Sequence, residues 1–158
     1  MAETPGADFA LLNEEDYRNL SAPGRRRARE GALLMLYQID VGENDLETAK
    51  QTLKDAGIKG GQAAFALELL ASALEYQATA DALIEEQAQD WEFERLFSID
   101  KAILRLSLAE LQQGTTPTNI IINEAVELAK KFGDNASPSF INAVLDSLRK
   151  ARAGEGTS

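Results

Sequence analysis

The chain has 158 residues, 44% of them hydrophobic, which is enough for one soluble domain with a substantial core. Its 16 basic and 26 acidic residues give a net charge of −10, so general affinity for nucleic acid or an anionic membrane is excluded and any anion binding must be local. With no cysteine and no histidine, disulfides, thiol nucleophiles, histidine triads and ordinary zinc sites are excluded; no metal or other cofactor is expected, and nothing points to an enzyme. No apolar run approaches a membrane span and no secretory signal opens the chain, so a cytoplasmic location is expected.

Residues 1–23 mix Pro, Gly, Ala and acids without a sustained period and are expected to form a flexible tail. From Arg25 the residues Ala28, Ala32, Met35, Leu36 and Ile39 recur at spacings of three and four, which predicts a helix ending near Gly42. Asn44 or Asp45 can cap a short helix carrying Leu46, Ala49 and Leu53 and ending at Gly57. After Gly60-Gly61, one long helix to about Ala88 places Phe65, Leu69, Ala73, Tyr76, Ala80 and Leu83 at helical spacing. Around Trp91 the period breaks, with Trp91, Phe93 and Leu96 expected to fill core.

Ser98 can cap the next helix, with Ala102, Ile103, Leu106 and Leu111 inward and Gly114 closing it. Thr116-Pro117 and Ser137-Pro138 read as a repeated start signal, a hydroxyl cap followed by a proline in the first turn. The helices they open bury Ile122, Val126, Ala129 and Phe132 before Gly133, then Phe140 or Ile141 with Val144, Leu145 and Leu148. The expectation is an all-α protein with one helical domain over 24–151 and a flexible tail over 152–158.

Against this frame one feature is electrically misplaced. Arg25-Arg26-Arg27-Ala28-Arg29 puts four arginines in five residues at a helix start, where the peptide dipoles already leave partial positive charge. On the helical wheel Arg26, Glu30, Leu33 and Tyr37 share a row beside the core stripe. Arginines offer bidentate phosphate contacts and a tyrosine offers a face for an unstacked base, a combination suited to single-stranded RNA. A solvated charged face explains an arginine run about as well on general grounds.

Two further groups stand out. Seven acids and one arginine lie between Asp81 and Asp100, an acidic edge that could meet a basic protein or serve helix starts. Asn123, Glu124 and Asn142 are polar groups set among apolar residues and are expected to fasten helices or loops together.

The order of motifs resembles the NusB family of bacterial transcription antitermination factors. The matching blocks are Arg-Arg-Arg-Ala-Arg-Glu, Trp-x-x-x-Arg-Leu leading to Lys-Ala-Ile-Leu-Arg, Ile-Asn-Glu-Ala-Val-Glu-Leu-Ala-Lys-Lys-Phe-Gly and Phe-Ile-Asn-Ala-Val-Leu-Asp, over roughly residues 25–150. The resemblance implies two small helical bundles and a non-enzymatic role: binding boxA RNA together with NusE, a small-subunit ribosomal protein, in support of the transcription elongation complex on ribosomal RNA operons. It carries RNA binding to Arg25, Arg26, Arg27 and Arg29, with Tyr37 and Phe140 at matching aromatic positions, and partner binding to the segment holding Asp100, Lys101 and Arg105. The chain departs from the pattern in its long leader, and in Gly133–Ser139, where Ala136 replaces an expected acid and the basic residue before Phe140 is missing. A protein-interaction or homodimerisation module, and a fragment of a ribosomal RNA methyltransferase, are the alternative readings.

Overall fold

A computed structural model describes residues 23–42, 44–88 and 96–157, with side chains to 152. The leader, and the Trp91–Arg95 part of the acidic segment, lie outside the described residues. Among the described residues there are six helices and no strand: α1 (Pro23–Gly42), α2 (Leu46–Asp55), α3 (Gly60–Gln87), α4 (Ser98–Gln113), α5 (Thr118–Phe132) and α6 (Ser137–Thr157). None is long and apolar enough to cross a membrane.

α4 organises the rest. From Ala102 to Leu111 every residue is buried, including Arg105, Ser107 and Glu110. A helix buried on all sides must be covered on all sides: α4 packs against α1 and α3 on one flank and against α5 and α6 on the other. The expected pair of small bundles therefore shares its central helix. α2 is held chiefly by α1, where Gly31 permits close approach; a Cβ there would come within 2.7 Å of Leu53 and 2.9 Å of Ile58.

The stripe expected on α1 is buried through Ala28, Ala32, Met35 and Leu36, with Ile39 at its edge. On α3 the buried row is Ala66, Leu69, Leu70, Ala73, Ala80 and Ile84. The expected row is rotated slightly outward by comparison, because Phe65, Tyr76 and Leu83 pack at the margins of the core. On α5 the inward face is Ile121, Ile122, Ala125, Leu128 and Ala129, with Glu124 turned in beside them, while Val126 and Phe132 are half-buried. Ile141, rather than Phe140, takes the fully buried position on α6.

The helix ends correct several capping expectations. Asp45 does cap α2, accepting from the Thr48 N–H at 2.8 Å, and Gly57 and Gly114 adopt the left-handed conformation that ends α2 and α4. Ser98 lies inside the first turn of α4 instead of capping it. Thr116 is buried short of α5, its hydroxyl without a hydrogen-bond partner, and the Pro117 carbonyl accepts from the Ile120 and Ile121 N–H groups. Ser137 shares its task with Asp134. The Asp134 carboxylate accepts from the Ala136 and Ser137 N–H groups, and the Ser137 hydroxyl accepts from the Asp134 N–H. This reciprocal closure resembles a capping box. α6 then runs to Thr157, past the residues the sequence offers for burial.

Candidate nucleic-acid interface

The arginine run at the start of α1 is made tolerable by carboxylates brought in from other helices. Arg29 is only 3% exposed and forms a two-pronged pair with Glu110 of α4, Nε donating to Oε1 at 2.9 Å and Nη2 to Oε2 at 2.6 Å. Its Nη1 lies 3.6 Å from Glu124 of α5. Arg26 forks onto that same Glu124, donating from Nε at 3.1 Å and from Nη2 at 2.8 Å. Glu124 is buried and Arg26 is about half exposed, so the network runs from the core to the surface. The planar fork of arginine matches a carboxylate at two points, which fixes direction as well as charge.

Arg27 ties down the neighbouring face. It donates to Glu30 at 2.9 Å and to the Ala56 carbonyl at the end of α2, also at 2.9 Å. Glu30 is buried and also accepts from Lys131 of α5 at 3.0 Å. Arg25 rests its guanidinium 4.1 Å from the centroid of Phe65, which explains why that ring sits at the core margin. Burial against α3 and repulsion from Arg29 lower the Arg25 pKa from its ordinary value, without neutralising it. The hydrogen bonds and charge of Glu124 push the Arg26 pKa upward.

Beside Arg26 an open groove runs between α5 and the start of α6, lined by Asn123, Glu127, Lys130, Pro138, Ser139 and Asn142 among others. Asn123 and Asn142 are exposed there, whereas Glu124 is the polar residue of the expected trio that fastens helices. Lys130 and Lys131 line a second hollow with Arg26 and Glu30. The exposed cations Arg26, Arg27, Lys130 and Lys131 are thereby gathered on one side of an acidic protein.

The remaining site residues fall elsewhere. Tyr37 is half-buried on α1, separated from Arg26 by the buried Glu30 and Leu33, so their shared row is not one continuous surface. It lines a separate hollow with Leu34, Phe97 and Phe132. Phe140 is half-buried and packs against the core near the start of α6. Asp100 is buried in the first turn of α4, where desolvation raises its pKa, the Ser137 hydroxyl lowers it and the Asp134 charge raises it. Lys101 is half-exposed. Arg105 is buried and donates to both Asp81 oxygens at 2.8 and 3.0 Å, with Asp40 at 3.6 Å.

The four arginines that the family resemblance assigns to RNA thus differ in exposure, and Glu110, Lys130 and Lys131, which are not among the expected site residues, join their network. Glu110 could have been found by its setting, an acid in the apolar run Leu108-Ala109-Glu110-Leu111 at the helical period of buried residues.

The profile of the NusB family matches residues 26–150. The chain belongs to the NusB family. A transcription antitermination protein NusB from Helicobacter pylori (strain Shi470) is 44% identical over 132 residues, covering 82% of this chain and 94% of the relative. Its counterpart from Helicobacter hepaticus is 45% identical over 130 residues, covering 80% and 82%. Among solved structures, that of the antitermination factors NusB and NusE in complex with double-stranded RNA superposes with a TM-score of 0.73 at 30% identity, covering 82% of this chain and 98% of the other. The family match begins at Arg26, inside the arginine run, and takes in Glu110, Glu124 and Lys131, so the charged network lies almost wholly within the NusB domain.

Proposed function

We propose that the protein is an RNA-binding adaptor of transcription antitermination. It holds boxA-like RNA on the surface made by the start of α1 and the α5–α6 groove, and acts with NusE to help the cytoplasmic elongation complex read through ribosomal RNA operons. The observation that carries this reading is the Arg26–Glu124 fork at the groove. It pre-orients an exposed guanidinium among further cations on a protein of net charge −10.

Arg25, Arg26 and Arg27 are proposed as the RNA contacts of the run. Arg29, buried against Glu110, is a positioning residue that anchors the helix start and shares Glu124 with Arg26. The NusB–NusE complex named above contains double-stranded RNA; the proposal of a single strand rests on the Phe132 ring, 5.5 Å from the Lys131 ammonium, since an aromatic face beside a cation suits unpaired bases. Lys101 is the proposed partner residue with exposed surface. Asp100 and Arg105 would shape the partner face from beneath it.

So few phosphate contacts imply modest affinity for RNA alone. A partner bound alongside adds contacts and strengthens both bindings through effective concentration. Anisotropy titrations of boxA-like RNA, with and without NusE, test the proposal: NusE is expected to tighten binding and Arg26→Ala to weaken it. No synergy, together with an unchanged Arg26→Ala, would sink it.

A further inference from the structure

Arg27 of α1 and Lys131 of α5 come from different helices and meet on a single atom. Arg27 Nη1 donates to Oε1 of Glu30 at 2.9 Å, and Lys131 Nζ donates to the same oxygen at 3.0 Å. The Glu30 side chain is 7% exposed, whereas those of Arg27 and Lys131 are 49% and 55% exposed. One covered carboxylate therefore holds two cations side by side at the surface, with one positive charge in surplus. Each cation has a second tether. Arg27 Nη2 donates to the Ala56 carbonyl at 2.9 Å, and the Lys131 ammonium lies 5.5 Å from the centroid of the Phe132 ring. Stability alone accounts poorly for this arrangement, because pairs with half-exposed partners contribute little and covering a carboxylate has its own desolvation cost.

We propose that Arg27 and Lys131 form a two-pronged site for one phosphate group of the RNA strand, and that Glu30 is the positioning residue that sets their spacing. The inference rests on the RNA-binding reading above and adds to it a contact, Lys131, and a residue, Glu30, that touches no RNA. A phosphodiester presents two unesterified oxygens sharing one negative charge, which matches a pair of donors with a surplus of one. A guanidinium has five N–H donors and an ammonium three, so both cations keep donors after their bonds to Glu30 and Ala56. Long basic side chains ordinarily lose freedom when a ligand arrives; here Glu30 orders them as the protein folds. The nearby acids are matched as well. Glu127 accepts from Lys130 at 3.2 Å, and Glu124 faces Arg26 and Arg29. Each carboxylate lining the hollow beside Lys131 thus has a cation of its own. A site held in this way takes a phosphate at a defined place on the strand instead of attracting the strand as a whole.

The test uses the full chain and boxA-like RNA, with the folding of each variant checked by circular dichroism and urea denaturation. Lys131 is more than half exposed, so Lys131→Ala leaves the core intact. It is expected to weaken RNA binding about fivefold and to make the slope of log affinity against log salt shallower by about 0.7. Glu30→Asp keeps the charge but withdraws the oxygen by one methylene. It is expected to weaken binding at least as much, and Lys131→Ala should then add less than it does in the unaltered chain. Among RNAs carrying a single uncharged methylphosphonate linkage, one position should weaken binding to the unaltered chain and have no further effect in Lys131→Ala. If Lys131→Ala keeps its affinity and slope while Arg26→Ala does not, the site is overturned and the RNA-binding reading stands. Normal RNA binding by folded Glu30→Asp removes the positioning role and likewise overturns the proposal. If neither Lys131→Ala nor Arg26→Ala changes RNA affinity, the underlying reading fails with the site.

Discussion

Arg29 and Arg105 are both buried arginines that fork onto carboxylates, yet they belong to regions of opposite character. Around Arg29 the cations Arg25, Arg26, Arg27, Lys130 and Lys131 join it against Glu30, Glu110, Glu124 and Glu127, and several of them reach water. Around Arg105 a single guanidinium faces Asp81 and Asp40, with Glu75 in the same hollow. The first region turns an internal ion network outward as a positive surface. The second closes its only named cation inside and leaves an acidic rim. The same pairing chemistry thus leaves surplus positive charge at one place and surplus negative charge at another, and what decides between them is the balance of charge once the buried pairs are made.

The largest expected effect separates the two networks by burial. Glu110 has almost no access to water, so Arg29→Ala strands a charge in the core and should cost about 3–5 kcal/mol of unfolding free energy in urea denaturation. A loss under about 1 kcal/mol would mean that the Arg29 network is not the anchor described here. Arg105→Ala should cost less, about 1–3 kcal/mol. Its partners Asp81 and Asp40 are 24% and 34% exposed and can recover hydration. Equal losses would erase the distinction between the regions.

How much of each region is legible in the sequence follows from what a helical period can carry. Local periodicity located all six helices, because each has a buried stripe and a glycine, proline or cap near its ends. It also flagged the arginine run, because a charge conflict with the helix dipole is a local property. The fate of each arginine was not local. Arg26 and Arg29 are three residues apart and meet Glu124 across 98 and 95 positions of chain. A wheel drawn for one helix contains no information about which acids arrive from others. It set Arg26 in line with Tyr37, but could not show that Glu30 and Leu33 between them are covered. Phe97, 62% exposed, has no local signal for a similar reason: where the period breaks, nothing in the neighbouring residues says whether a phenylalanine is covered.

Arg26→Ala should sharpen the contrast on the functional side. Arg26 is half exposed, and Glu124 keeps Arg29 nearby, so stability should change by no more than about 1 kcal/mol. RNA affinity should fall about tenfold, the scale of a lost charge-assisted contact. The slope of log affinity against log salt should become shallower by about 0.7 for each phosphate released. A large stability loss with no change in that slope would move Arg26 from the RNA surface to the structural network.

The smallest effect concerns Asp100, a buried carboxylate with no guanidinium partner among the described ion pairs, where Glu110 and Glu124 each have one. Burial raises its pKa above the ordinary 3.8, and the nearby Asp134 charge adds to the shift. The folded protein therefore binds this proton more tightly than the unfolded chain does. Its contribution to stability is greatest in acid and declines as pH rises from the ordinary value through the raised one. Asp100→Asn keeps the shape but cannot ionise, so it removes the decline. Urea unfolding from pH 3 to 7 should show the variant gaining on the unaltered chain across that window and holding its gain at neutral pH. A constant difference at every pH would show that Asp100 carries no such penalty, and that a buried acid at the start of α4 is tolerated as readily as one facing an arginine.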